Sequence, residues 1–218
     1  MVGRMKRVFL KAAAITAVVF LIGVYMGSLM DEMRVNEVKE RITQIDNLWN
    51  DVRLMQSYIE NFSDGPDYCD FLLDENLKAG DKIYEEGIKV EEYENINRFS
   101  SEFIVEKTRY ALLDVQFWLN SIELKKACNG NYSTVVYFYS QNNKTAEQNF
   151  QDRVLWDLKQ QCGPKIIYIT FPADINISTI EIVKKIYGIN KTPAILIDEE
   201  ILLEEPTTLR ELEDYISC

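Results

Sequence analysis

An α/β domain of order β-α-β-α-β-β-α, set behind an N-terminal transmembrane helix and an all-α stalk of three helices, is the fold predicted for this chain of 218 residues. Three observations predict it. Residues 12–30 carry no charge, and apolar residues between 31 and 128 recur at helical spacing. Beyond 132, short apolar runs alternate with helical stretches and end in Thr192-Pro193-Ala194-Ile195-Leu196-Ile197, the acidic turn Asp198-Glu199-Glu200 and Ile201-Leu202-Leu203. A proline is tolerated at the first residue of a strand, and two aliphatic runs about a short polar turn read as a hairpin.

Composition bounds the function. The chain is 47% hydrophobic and 27% charged, with a net charge of −11 and no histidine. The acidic balance argues against nucleic acid, whose phosphates require a basic face. Without histidine, a histidine-based triad or zinc site is excluded. No metal or cofactor motif is found. The acidic runs at Glu91-Glu92, Asp198–Glu200 and Glu204-Glu205 lack the spacing of a calcium loop and are expected to be solvated faces.

Residues 1–11 form a basic N-terminus with Arg4, Lys6, Arg7 and Lys11. Residues 12–30 extend roughly 28 Å as a helix, enough to cross the hydrocarbon core and take membrane lipid as partner. Asp31 and Glu32 follow, so the N-terminus is expected in the cytoplasm and the rest outside the cell membrane, as a single-pass protein. A cleaved signal peptide is the alternative, although no good small-x-small cleavage site precedes Asp31 and the apolar run is long for a signal peptide. Gly23 and Gly27 form a GxxxG spacing through which two helices could approach, with a homodimer through this helix and the stalk as one reading and chance as the other.

Residues 31–128 are expected to be the helical stalk. Val35, Val38, Ile42, Ile45, Trp49, Val52 and Ile59 make a stripe on the first helix, interrupted by Gln56, and Ser63-Asp64-Gly65-Pro66 stops it. The second helix, from Asp67 to about Asn95, uses Leu73, Leu77, Tyr84 and Ile88. The third, from about Ser101 to Ala127, uses Tyr110, Leu113, Phe117 and Leu124. These stripes are read as core, without a ligand pocket. The turn at 95–100 lies midway between Cys69 and Cys128, so an antiparallel pair of helices brings the two cysteines face to face. A Cys69–Cys128 disulfide is expected, suited to an oxidising compartment; two unrelated buried thiols are the alternative.

In residues 132–218 the strand Ser133–Tyr139, a helix from Ala146 to Gln161, the strand Lys165–Phe171 and a helix from Thr179 to Tyr187 precede the hairpin. Thr208 and Glu211 then open the last helix as a capping box. Strands joined by a helix are expected to be parallel.

This order, with Val135-Val136-Tyr137-Phe138-Tyr139 as first strand and Thr192-Pro193 opening the third, resembles the thioredoxin-like fold over about residues 132–217. The resemblance implies a cis peptide at Pro193. It also places the family's Cys-x-x-Cys on Asn143, Lys144, Thr145 and Ala146, where neither cysteine is present. Thiol–disulfide exchange needs a thiolate, so the domain is expected to be redox-inactive. Tyr137 stands where some relatives carry a buried acid. The topology also sets Cys162 and Cys218 at the pole away from that loop, where a second disulfide is expected; a lone reactive Cys218 or an intermolecular bridge is the alternative. In the family, the backbone beside the proline pairs with extended peptide, which implies a face made by Ser140, Gln141, Asn142, Thr192 and Pro193.

Asn-x-Ser/Thr occurs at Asn61, Asn131, Asn143, Asn176 and Asn190, all on predicted turns or helix ends. Glycosylation fits an outside location, and an asparagine-rich chain is the alternative. Three functional readings follow. The first is a membrane-anchored, non-enzymatic protein that binds peptide or another envelope protein. The others are an oxidoreductase or isomerase-like enzyme using Cys162, Cys218 or a partner's thiols, and a purely structural dimeric stalk.

Overall fold

Helix α1 (Val2–Phe62) is continuous through both the apolar run and the first stripe of the stalk. It belongs to a computed structural model that describes residues 2–62, 66–97 and 101–218. Ser63-Asp64-Gly65 and Arg98-Phe99-Ser100, on which two expected turns fall, lie outside the described residues, as do the side chains of Val35 and Val38. The chain separates into two compact units, Met1–Thr43 and Gln44–Cys218. In the first, Ala13–Met30 is long and apolar enough to cross a membrane, and none of it is buried.

In the second unit, the remainder of α1 packs with α2 (Pro66–Asn97) and α3 (Ser101–Cys128). Ile45, Val52 and Ile59, seven residues apart, are its buried positions. Gln56 breaks the stripe because it is wanted elsewhere: Gln116 Nε2 donates to Gln56 Oε1 at 3.1 Å and to Asn120 Oδ1 at 2.9 Å. Asn120 Nδ2 in turn donates to the Val52 carbonyl at 2.5 Å.

The buried stripe of α2 lies one residue before the expected one. It is Leu72, Asn76, Ala79, Ile83, Glu86 and Val90, whereas Leu73, Leu77 and Tyr84 are half-buried and Ile88 is exposed. Asn76 and Glu86 disguise the period, since a buried polar side chain reads as surface. Asn76 is held by a 3.1 Å hydrogen bond to Ser121 Oγ. The α3 positions Tyr110, Leu113, Phe117 and Leu124 are buried as expected. Gly80 and Gly87 let α2 approach α3 closely. A Cβ on Gly80 would fall 2.9 Å from the Phe117 ring, and one on Gly87 would fall 2.3 Å from the Tyr110 hydroxyl. The Cys69–Cys128 disulfide joins the two helices with a Cα–Cα distance of 5.3 Å.

Next come β1 (Ser133–Tyr139), α4 (Ala146–Cys162), a single 3₁₀ turn (Gly163–Lys165), β2 (Ile166–Pro172) and α5 (Ser178–Tyr187). The chain ends with β3 (Ala194–Ile197), β4 (Ile201–Leu203) and α6 (Leu209–Glu213). The four strands form one mixed sheet, ordered β2-β1-β3-β4. β1 and β2 are parallel, with Val135 opposite Tyr168, while β3 runs antiparallel to both β1 and β4.

The expectation that each helix joins parallel strands therefore holds for α4 and fails for α5. Seven-residue strands rise about 23 Å, and the 17 residues of α4 recover about 25 Å, whereas the ten of α5 recover only about 15 Å. The chain leaves α5 at Gly188 (φ 70°) and enters β3 from the end at which β1 and β2 finish.

One sheet face packs on α4 and α6 through Val135, Tyr137, Leu155, Leu158, Ile195 and Leu212. The other, with Val136, Phe138, Ile169 and Phe171, shares its core with α3 and α5, so the helices of the expected stalk and the sheet pack together. The Thr208–Glu211 capping box is present. Cys162 and Cys218 are paired, with Cα atoms 4.7 Å apart.

The acidic hairpin turn is not a solvated run. Asp198 and Glu199, at φ 50° and 60°, adopt the left-handed conformations of the tight turns that match strand twist. Asp198 Oδ1 accepts from Lys125 Nζ at 2.7 Å and from the Thr134 amide at 2.8 Å. Glu199 Oε1 accepts from Trp118 Nε1 at 2.8 Å and from Thr134 Oγ1 at 2.6 Å. Glu204 Oε1 accepts from the amides of Asn190 and Lys191. Both acidic runs flanking β4 thus include carboxylates that tie chain segments down.

Candidate functional site

The loop after β1 is built on Asp174. Its carboxylate accepts from Ser140 Oγ (2.7 Å), the Gln141 amide (2.7 Å) and the Asn142 amide (2.9 Å). Ser140 Oγ accepts from the Asn143 amide at 2.9 Å. Burial disfavours the charge on Asp174, but the hydrogen bonds from Ser140, Asn142 and Gln141 outweigh it and hold the carboxyl below its ordinary value. Gln148 closes the loop from the other side: its Oε1 accepts from the Ser140 amide at 3.0 Å and its Nε2 donates to the Ser140 carbonyl at 3.2 Å. Thr145 caps α4, accepting from the Gln148 amide at 3.1 Å.

The Thr192–Pro193 peptide is cis. Phe138 pairs with Ala194, and one further step of that register sets Pro193 opposite Tyr139 at the same end of the sheet. Ser140, Gln141, Asn142, Thr192 and Pro193 are therefore brought to one end, with Asn142, Asn143, Lys144 and Ala146 exposed and Gln141 and Pro193 buried. The cysteines lie elsewhere, and all four are in disulfides. The asparagines of the five sequons are all exposed.

Beside this loop is a feature that the helical stripes had not suggested, a pocket of about 180 Å³ between α2, α3, α4 and the β2 edge of the sheet. Tyr137, Tyr139, Tyr168 and Thr170 line it from the sheet, and Lys144 and Gln148 belong to both pocket and loop. Alternation along β1 and β2 puts those three tyrosines on one face, a signal the sequence does carry. Lys107 Nζ lies 5.3 Å from the centre of the Tyr139 ring. Asp152 is pushed above the ordinary carboxyl range by burial, against the effects of its hydrogen bond with Tyr137 and of nearby Lys144.

Next to the pocket, Asp114 is 2% exposed on α3 and accepts from Thr170 Oγ1 at 3.5 Å. Burial pushes its carboxyl well up, while Thr170, Lys107 and Tyr110 oppose the shift. A folded pKa above the unfolded value means that, between the two, only the native state holds the proton. Stability then falls as pH rises through that window, from about 4 upward. Urea unfolding at a series of pH values should show this decline, and Asp114→Asn should flatten it and leave the protein more stable at neutral pH. An unchanged slope would mean that another group titrates.

No protein-family model matches the chain, and no curated protein matches it. Among solved structures, the chain is similar to one described as "Structure of a malarial protein", at 16% identity and a TM-score of 0.33. That match covers 38% of this chain and 92% of the other.

Proposed function

We propose that this is a single-pass membrane protein whose outer part carries a redox-inactive thioredoxin-like domain, and that it binds extended peptide or a segment of another envelope protein. The supporting observation is the loop end of the sheet. There an ordered turn at Ser140–Thr145 stands beside the cis Thr192–Pro193 step with no cysteine in reach. The strand order β2-β1-β3-β4 with β3 antiparallel supports the thioredoxin-like reading. Peptide addition there uses backbone groups and needs no thiol.

Two disulfides favour an oxidising compartment, and the basic residues before the apolar helix favour a cytoplasmic N-terminus with Gln44–Cys218 outside. The exposed sequon asparagines would be open to glycosylation there. Gly23 and Gly27 have no side chain or backbone within 4 Å of their missing Cβ atoms, which leaves that helix face open to a second copy in the membrane. Cys162 and Cys218 are paired with each other, which favours the non-enzymatic reading over an oxidoreductase using a free thiol.

Maleimide mass-tagging of membrane-purified protein should give no tag before reduction and four after it, and the protein should not turn over in an insulin-reduction assay. A peptide array probed with the full chain in detergent should yield binders whose affinity falls at least about fivefold with Pro193→Ala. Insulin turnover would return the protein to the enzymes. Binding indifferent to Pro193 would move the site off this face.

A further inference from the structure

Where α1 ends and α2 begins, five large apolar side chains stay outside the core. They are Leu54, Tyr58, Phe62, Tyr68 and Phe71, each between 47% and 62% exposed. Leu54, Tyr58 and Phe62 recur every fourth residue and so share one face of α1. The Tyr58 and Phe62 rings lie 5.8 Å apart, and Phe62 lies 5.9 Å from Tyr68 of α2, so both helices contribute to one continuous patch. Phe71 extends it, one helical turn on from Tyr68. Four rings at about half exposure leave roughly 400 Å² of aromatic surface in water, the size at which a patch on a monomer marks an interaction site.

Charge decides what can cover it. From residue 44 to residue 75 the sequence carries eight acids and one base, Arg53. Arg53 lies over the Trp49 ring at 5.3 Å, Arg109 holds Asp46, and Lys78 holds Asp74 and Glu75. Asp51, Glu60 and Asp70 are exposed, and among the described residues none of the three is in an ion pair. Asp51 lies on the face of Leu54 and Tyr58, and Asp70 directly precedes Phe71. A second copy would bring these carboxylates against themselves, because a two-fold interface pairs a patch with its own image. Anionic lipid and nucleic acid would be repelled in the same way. A guanidinium group suits both features, since it stacks on aromatic faces and pairs with carboxylates.

We infer that this patch docks an arginine-rich segment of another protein, laid across Tyr58, Phe62, Tyr68 and Phe71 with its charge answered by Asp51 and Asp70. The site is separate from the face at Pro193 and does not rest on the peptide-binding reading.

The test is calorimetric titration of the full chain, in nanodiscs of neutral phosphatidylcholine, with a short peptide alternating arginine and leucine. A glycan on Asn61 would crowd Phe62, so the protein comes from a host that adds none. The peptide should bind saturably and about threefold more tightly than its lysine version, and its glutamate version should not bind. Tyr58→Ser with Phe71→Ser, both at exposed positions, should weaken binding at least about tenfold without moving the thermal midpoint. Asp51→Asn with Asp70→Asn should weaken it about fivefold and flatten its dependence on salt. Asp157→Asn with Asp214→Asn removes as much charge from exposed positions elsewhere and should leave binding unchanged.

Absence of saturable binding, or an equal loss in the Asp157 and Asp214 variant, would overturn the assignment. Loss of binding in Pro193→Ala would overturn it too, by putting the peptide on the other face. A native dimer that sediments as a monomer once Tyr58 and Phe71 are replaced would give the patch to a second copy instead.

Discussion

Replacing Trp118 by alanine is expected to cost about 3–5 kcal/mol, a large fraction of the stability of an ordinary domain. The side chain is 2% exposed and packs edge-on to Phe171 of β2 and Tyr187 of α5, with ring centroids 5.8 and 6.0 Å away. Its indole N–H also holds Glu199 of the hairpin turn at 2.8 Å. Truncation therefore opens a cavity among three elements and removes one of the two hydrogen bonds to a carboxylate held in place by them. Trp118→Phe separates the effects: it keeps most of the volume, loses the donor and should cost about 1–2 kcal/mol. Urea denaturation of both variants, with Glu199→Gln and the corresponding double mutants, gives the coupling. A loss below 1 kcal/mol for Trp118→Ala would mean that the site collapses and that the tryptophan does not hold the sheet to α3.

The second large effect is expected at Cys69 and Cys128. The bridge closes a loop across 59 positions, and by the chain-entropy model its removal costs about 4 kcal/mol. Cys69→Ser with Cys128→Ser should lower the unfolding free energy from urea denaturation by that amount, and reduction of the native protein, which opens both bridges, should lower it at least as far. The Cys162–Cys218 bridge closes a similar loop, across 56 positions, but it clamps a tail already docked through buried Leu212 and Ile216 and capped at Thr208. Its loss should matter less. Equal stability of the Cys69/Cys128 variant and the native protein would show that the helix hairpin needs no clamp.

Local chemistry was the most legible part of this chain. The capping box at Thr208 and Glu211 needs only four consecutive residues, and the Cys69–Cys128 pairing needs only equal distances from one turn. Proline at the mouth of β3 and apolar runs in β1 and β2 likewise announce themselves. What could not be read depends on distant partners. The acidic turn looked solvated because its donors, Trp118 and Lys125, lie 81 and 73 residues away. The buried stripe of α2 was displaced by one position because Asn76 and Glu86 occupy core sites, and the satisfaction of Asn76 is visible only once Ser121 faces it. The pocket was hidden for the same reason: three helices, two strands and a loop each contribute, and no one element carries its pattern.

The tie at Asp198 and Glu199 bears on how such a chain can be inherited. Trp118 and Lys125 precede β1, and their acceptors follow β3. A recombination breakpoint between Cys128 and Ser133 would send the two halves of this lock into different descendants. One would expose the face of Val136, Phe138 and Phe171, and the other would leave an indole and an ammonium group seeking partners. The third helix and the hairpin should therefore travel as one genetic cassette, and drift at position 118 should be answered by drift at position 199.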